Sequence, residues 1–310
     1  MGKRSYKFPE ISCGVHPKIL FVGNGFNLSF PDAQRTDSIV QNQWKQSYGI
    51  DLPSREDDPN NKVWKLPFPL QVVAATKDHV QGCMTELAGT FKEMDVTEAQ
   101  QTFIKQVLDT KFDAILSTNY SLEFEKSTID DFSERKAYTL YRKSKEQTKQ
   151  QEQFGIFQCT ELPYSNHPLL WHIHGTALRK SSLIMGQLYY GKLLSEVTEQ
   201  ARKLLQIYKA SEKSQLPLHP KSWIDYFLVG DVYILGFKLD FSESDIWWLL
   251  SFKKSVFPNT KVYYFDNAIS EEKRLMLECY QVEMPNNPIL AKSGKSRYLD
   301  FYKAVCNEIN

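Results

Sequence analysis

Five short apolar runs set the strongest limit on how this chain can fold: Lys18–Val22 (KILFV), Ala114–Ser117 (AILS), Leu169–Ile173 (LLWHI), Val232–Leu235 (VYIL) and Val262–Phe265 (VYYF). Each is apolar on both faces and bounded by Gly, Asn or Asp, the pattern of a strand buried in a parallel sheet. Stretches of helical period lie between them. Thr97–Asp109 places Phe103, Val107 and Leu108 on one face; Lys192–Lys213 carries Leu193, Leu194, Val197, Ala201, Leu204, Leu205 and Tyr208; Ser244–Lys254 is short and apolar. Strands alternating with helices predict an α/β layer architecture with right-handed crossovers.

Two connections are far longer than the dozen or so residues that a crossover needs. They predict inserted, mainly helical segments at about 31–110 and 126–168 that build a smaller cap over the ends of the sheet of one elaborated domain, 1–310. Within the second, Arg142–Gln153 has no apolar residue and reads as a solvated helix or loop. Asp51–Asn61 reads as a polar loop.

Composition narrows the partners. A formal charge of +1 carries no electrostatic footprint of a nucleic-acid binder, and no apolar run reaches the roughly 18 residues of a membrane span. The N-terminal MGKRSYKFPE lacks the apolar core of a secretory signal, and Ser5 falls one place early for myristoylation. Five dispersed cysteines without a CxxC pair suit a reducing compartment and give no zinc knuckle. The expectation is a cytoplasmic protein without a metal.

Directly after the first run comes Gly23-Asn24-Gly25-Phe26-Asn27. Glycines at the end of a first parallel strand let backbone amides approach a pyrophosphate without a Cβ in the way. A plain strand-to-helix turn explains the loop equally well, since Leu28 stands where GxGxxG has its third glycine.

Four segments, taken in order, resemble the sirtuin-like NAD hydrolases of phage abortive-infection systems. GNGFNLSF (23–30) is similar to their GNGFD opening, STNYSLEFE (117–125) to their TNYD motif, and WHIHGT (171–176) to the strand that ends in the catalytic His-Gly. VYILGFKLDFSESDIWWLL (232–250) is similar to their late strand, glycine turn and apolar helix. The resemblance implies a Rossmann-like parallel sheet of about six strands with NAD across its carboxyl ends. It also implies hydrolysis of NAD to nicotinamide and ADP-ribose in antiviral defence, homo-oligomerisation, and a separate sensor or activating protein. Two positions depart from the pattern: Asn27 and Ser121 stand where acidic residues are expected. The paired zinc cysteines of protein-deacylating sirtuins are absent, which favours hydrolysis over deacylation. A catalytically silent NAD or ADP-ribose sensor and an ADP-ribosyl transferase or zinc-free deacylase are the alternatives.

Cleavage of the nicotinamide–ribose bond passes through an oxocarbenium-like ribosyl cation, and the leaving nicotinamide is neutral. The site must therefore hold the ribose and activate a water, a task that suits histidine near neutrality. On the family pattern His174 is the expected base. Period-two alternation puts His172 on the same face as its local rival. Asn119 is expected to bind ribose hydroxyls or the attacking water, against the plain reading that it caps a helix starting near Ser121. Gly23, Asn24, Gly25, Phe26, Asn27, Thr118, Gly175 and Gly236 are expected around the dinucleotide, with Asp266 on the adenosine ribose or else in a surface turn. Asp240, Glu243 and Asp245 form an acidic run that helix capping by Asp245 or Ser242 explains better than a metal, because no histidine is near in sequence.

Overall fold

The computed structural model describes residues 15–27, 36–55, 57–77, 79–143, 154–214, 218–266, 269–285 and 296–309. Leu28, Asn267 and most of the polar run after Lys143 lie outside them. Among the described residues seven strands form one sheet: β1 (Lys18–Val22), β2 (Ala114–Ser117), β3 (Tyr141–Lys143), β4 (Gln158–Glu161), β5 (Leu169–His172), β6 (Asp231–Leu235) and β7 (Val262–Phe265), in the order β3-β4-β5-β2-β1-β6-β7. The five runs that open the sequence analysis are its five parallel strands. The other two are an antiparallel extension. The α/β, Rossmann-like expectation holds, with five parallel strands in a seven-stranded sheet among the described residues.

Alternation along each strand sends side chains to two separate cores. Ile19, Phe21, Leu116, Trp171 and Ile234 pack on one face, and Leu20, Val22, Ile115, Leu170 and Leu235 on the other. Each fully buried side chain of this size contributes about 1.5–3 kcal/mol by leaving water. The first face is covered by α3 (Phe68–Thr76), α4 (Val80–Glu93), α8 (Gln187–Ser214), α9 (Trp223–Val229) and α10 (Ser244–Val256). The second is covered by α5 (Glu98–Leu108), by Phe124 of α6 (Glu123–Thr128) and by α12 (Ser296–Ile309).

Local chemistry fixes the ends of several helices. Thr97 caps α5 by accepting from Gln100 N. Ser222 and Asp225 form a capping box at the start of α9. At its other end the buried Lys253 Nζ donates to the carbonyls of Phe227, Leu228 and Gly230 at 3.0, 2.9 and 2.6 Å, closing orphan acceptors of the last turn.

The insertions differ from each other. The first carries α2 (Thr36–Tyr48), α3, α4 and α5, and the described residues of Asp51–Asn61 form a loop as expected. The second is not mainly helical in its described part: besides α6 and the short α7 (Glu134–Leu140) it holds β3 and β4. Arg142 and Lys143 are strand residues rather than part of a solvated helix or loop. Their polar side chains hide the pairing, because an edge strand is held by backbone bonds and needs no apolar pattern. No helix among the described residues is long and apolar enough to cross a membrane.

Candidate functional site

The parallel strands run, in sheet order, third-second-first-fourth-fifth along the chain. The order reverses between β1 and β6, and the crevice outside such a switch point is where open α/β sheets bind ligands. A cavity of about 820 Å3 opens there, within the range of roughly 300–1,000 Å3 that small-molecule and cofactor sites occupy. All five parallel strands feed it from their carboxyl ends: Asn24 and Gly25 after β1, Thr118–Ser121 after β2, His174 after β5, Gly236–Glu243 after β6, and Phe265 with Asp266 at β7. Arg55, residues 64–68 and Gln71 of the first insertion, with Phe91 and Met94, form part of its wall, and α12 adds Tyr298 and Tyr302.

Of the expected site residues, Asn24, Gly25, Thr118, Asn119, His174, Gly236 and Asp266 line this one cavity. Gly23, Phe26, Asn27 and Gly175 do not. Gly23 packs under Phe237, whose ring would lie 2.5 Å from an added Cβ. Phe26 is in the core against Phe103 and Phe124, at 5.2 and 5.9 Å between ring centroids. Gly175, at φ 94°, makes the turn after β5, where a Cβ would stand 2.1 Å from the Ser182 carbonyl oxygen. Its requirement is conformational, and its effect is to aim His174.

That turn separates the two histidines. Gly175 N donates to His172 O at 3.0 Å, so the strand ends at His172 and alternation stops. His172 stays on the second face, with Nδ1 2.8 Å from Asn119 O and Nε2 3.0 Å from Glu125 Oε1. Burial opposes charge on this ring, but Glu125 and the Asn119 carbonyl outweigh it and raise the pKa to about 9. Every polar atom of the ring is thus spoken for. The expectation of a shared face is corrected: His172 is a structural ion pair, and His174 alone reaches the cavity.

His174 is buried against Tyr190 of α8, with ring centroids 5.2 Å apart. Its Nε2 faces Asp245 Oδ2 at 3.5 Å and Glu243 Oε2 at 3.7 Å, whereas Nδ1 has no hydrogen-bond partner among the described residues. Burial works against protonation of this imidazole, and the two carboxylates reverse that, so its pKa is raised. Burial, with Asp245 and Asp240 nearby, pushes the Glu243 carboxyl up, while His174 pulls it down.

The acidic run is therefore not a capping device. Glu243 is the N-cap of α10 but makes no side-chain cap bond, and neither Asp245 oxygen has a hydrogen-bond partner. Ser242 N and Oγ instead turn back to Asp240 Oδ1, both at 3.1 Å. No histidine neighbours Glu243 and Asp245 in sequence, but packing of α10 beside the end of β5 supplies one in space. Ligand atoms of His174, Glu243 and Asp245 lie within 4.8 Å of one another, close enough to hold a metal ion.

Asn119 is held by a third carboxylate, the buried Glu123. Its Nδ2 donates to Glu123 Oε1 at 2.9 Å and to Gly23 O at 3.4 Å, while Ser121 Oγ donates to Glu123 Oε2 at 2.6 Å. Asn27 joins the network through Ser121 Oγ and Gln100 Nε2, each at 3.4 Å. The helix here begins at Glu123 with no side-chain cap bond, so Asn119 is not a cap. The negative charge missing at Asn27 and Ser121 is present at Glu123, two residues beyond Ser121 in the same STNYSLEFE segment. With both amide protons engaged, Asn119 keeps its side-chain oxygen as an acceptor.

Fold and site together define a Rossmann-like α/β protein with a ligand cavity at the switch point of its sheet. No protein-family model matches the chain, and no curated protein matches it significantly.

Proposed function

We propose that this protein is an NAD glycohydrolase, with water adding to the ribose as nicotinamide leaves. One observation carries the reading: an imidazole braced by two carboxylates and an asparagine held by a third lie on one cavity at the sheet's switch point. The four segments that resemble sirtuin-like NAD hydrolases each contribute residues to that cavity: Asn24 and Gly25, Thr118 to Ser121, His174, and Gly236 to Glu243.

In this account the dinucleotide crosses the ends of β1 and β6, with Asp266 as acceptor for the adenosine ribose hydroxyls. Asn119 Oδ1 accepts from the nicotinamide ribose or the attacking water. As the C–N bond breaks and the nicotinamide departs as a neutral base, the water oxygen bonds to the ribosyl carbon and its proton passes to His174 Nδ1. Asp245 and Glu243 stabilise the imidazolium that forms, as a carboxylate does beside any catalytic imidazole. NAD and water give nicotinamide, ADP-ribose and a proton.

The test is release of nicotinamide from NAD by the purified protein. His174→Ala and Asn119→Ala should each abolish most of it, on the order of 10²-fold or more for a positioned acid–base group. Binding of NAD without any release identifies a sensor, and release only with an acceptor protein identifies a transferase or deacylase; either result overturns hydrolysis. By the same resemblance, the enzyme works in antiviral defence as a homo-oligomer awaiting a separate activator.

A further inference from the structure

We propose that His174, Glu243 and Asp245 are the protein ligands of a divalent first-row transition metal of the zinc type, held in the cavity wall. The argument starts from distance. A hydrogen-bonded imidazolium–carboxylate pair has N···O of about 2.7–2.9 Å, but Nε2 stands 3.5 and 3.7 Å from its two carboxylates. A tetrahedral ion with bonds of about 2.1 Å separates its ligand atoms by roughly 3.4 Å, close to both of these imidazole–carboxylate distances.

Satisfaction points the same way. His174 Nε2, Glu243 Oε2 and both Asp245 side-chain oxygens are buried without a hydrogen-bond partner. The His174 and Asp245 side chains are only 3% and 1% exposed, and one ligand atom from each lies within 4.8 Å of the others and of one from Glu243. Buried polar atoms are almost always paired, and one cation would take one such atom from each of the three residues. Among the described residues neither carboxylate has another ion-pair partner, so a divalent charge also balances the cluster.

The donor set selects the ion. One imidazole nitrogen and two carboxylates, with no thiolate, suit zinc and its neighbours rather than Cu(I), and calcium takes six to eight oxygens. Three protein ligands leave a fourth position, and since His174 and Glu243 line the cavity it faces the substrate space. A metal on Nε2 also keeps the ring's single proton on Nδ1, turning that atom from acceptor to donor. Metal occupancy and the base role of His174 exclude each other, so zinc should inhibit nicotinamide release.

The experiment titrates the chelator-treated full-length protein with Co2+, read by visible absorption, and with Zn2+, read by calorimetry. We expect one equivalent bound, with a tetrahedral cobalt spectrum. His174→Ala and Asp245→Asn should each weaken binding by at least about 100-fold, and His16→Gln should leave it unchanged. Glu243→Gln, at the most exposed of the three side chains, carries the test should either variant fail to fold. Absence of stoichiometric binding, unchanged affinity in the ligand variants, or equal affinity for Mg2+ or Ca2+ overturns the site. Metal binding without nicotinamide release would leave the site standing and remove the proposed activity; release without metal binding would do the reverse.

Discussion

Gly25 and Gly236 meet backbone to backbone across the switch point of the sheet. A Cβ on Gly25 would lie 2.6 Å from the Gly236 carbonyl oxygen, and one on Gly236 would lie 2.3 Å from Phe26 N. Gly236 also sits at φ 62°, where a side chain is strained. The two loops that frame the cavity therefore approach as closely as they do because neither residue carries a side chain. Gly236→Ala should destabilise the protein by about 2–4 kcal/mol, from overpacking and left-handed strain together. By contrast, Gly191→Ala, at an exposed position of α8 with open space around it, should stabilise by up to about 1 kcal/mol. Denaturant midpoints of the two variants check the pair, and equal shifts would contradict the packing argument.

Glu123 is expected to act through Asn119 without touching substrate. Glu123→Ala leaves the Asn119 amide and the Ser121 hydroxyl without their shared acceptor, at about 1–3 kcal/mol for each buried unpaired group. If Asn119 positions ribose or water, the same change should lower kcat by up to about 10²-fold, the scale of a small misplacement. A loss of stability with kcat intact would reduce the network to a structural role.

The pair His172–Glu125 should behave as a buried ion pair. Glu125→Ala strands a charged imidazole in the interior and should cost about 3–5 kcal/mol. Glu125→Gln keeps an acceptor near Nε2 and should cost less. Urea unfolding of both variants gives the comparison; similar losses would show that the charge contributes nothing.

Much of this arrangement was legible in the sequence, and the failures have definite causes. The five parallel strands declared themselves because burial on both faces requires unbroken apolar runs. Tyr141–Lys143, a polar edge strand, and Gln158–Glu161, a short inner strand with polar residues at three of its four positions, did not, since antiparallel pairing through the backbone needs no apolar run. His172 and His174 share a face under strict alternation, and the turn at Gly175 cancels it. Glu123 could have been found as the acid displaced by two positions from Ser121. Glu243 and Asp245 could not be joined to His174, because their proximity is made only when α10 packs beside β5.

Lys253 gives the pH dependence. Burial lowers its ammonium from 10.5 to about 7, with Asp231 opposing. The unfolded chain keeps this proton up to about 10.5, whereas the folded chain releases it from about pH 7. The unfolded state thus binds more protons between those values, and stability must rise with pH across that window, by at most about 1.4 kcal/mol per pH unit. The stability difference between wild type and Lys253→Met isolates the effect and should shift in favour of wild type from pH 7 to pH 9.5. A pH-independent difference would show that the three carbonyl bonds keep the ammonium charged.

The account as a whole depends on a dinucleotide lying in the cavity between the β1 and β6 loops. Calorimetric titration of the purified protein with ADP-ribose, which cannot be hydrolysed at the scissile position, measures this most directly. The prediction is saturable binding at one molecule per chain, lost in Gly236→Val, which fills the space between the loops. Absence of affinity for both ADP-ribose and NAD would contradict it.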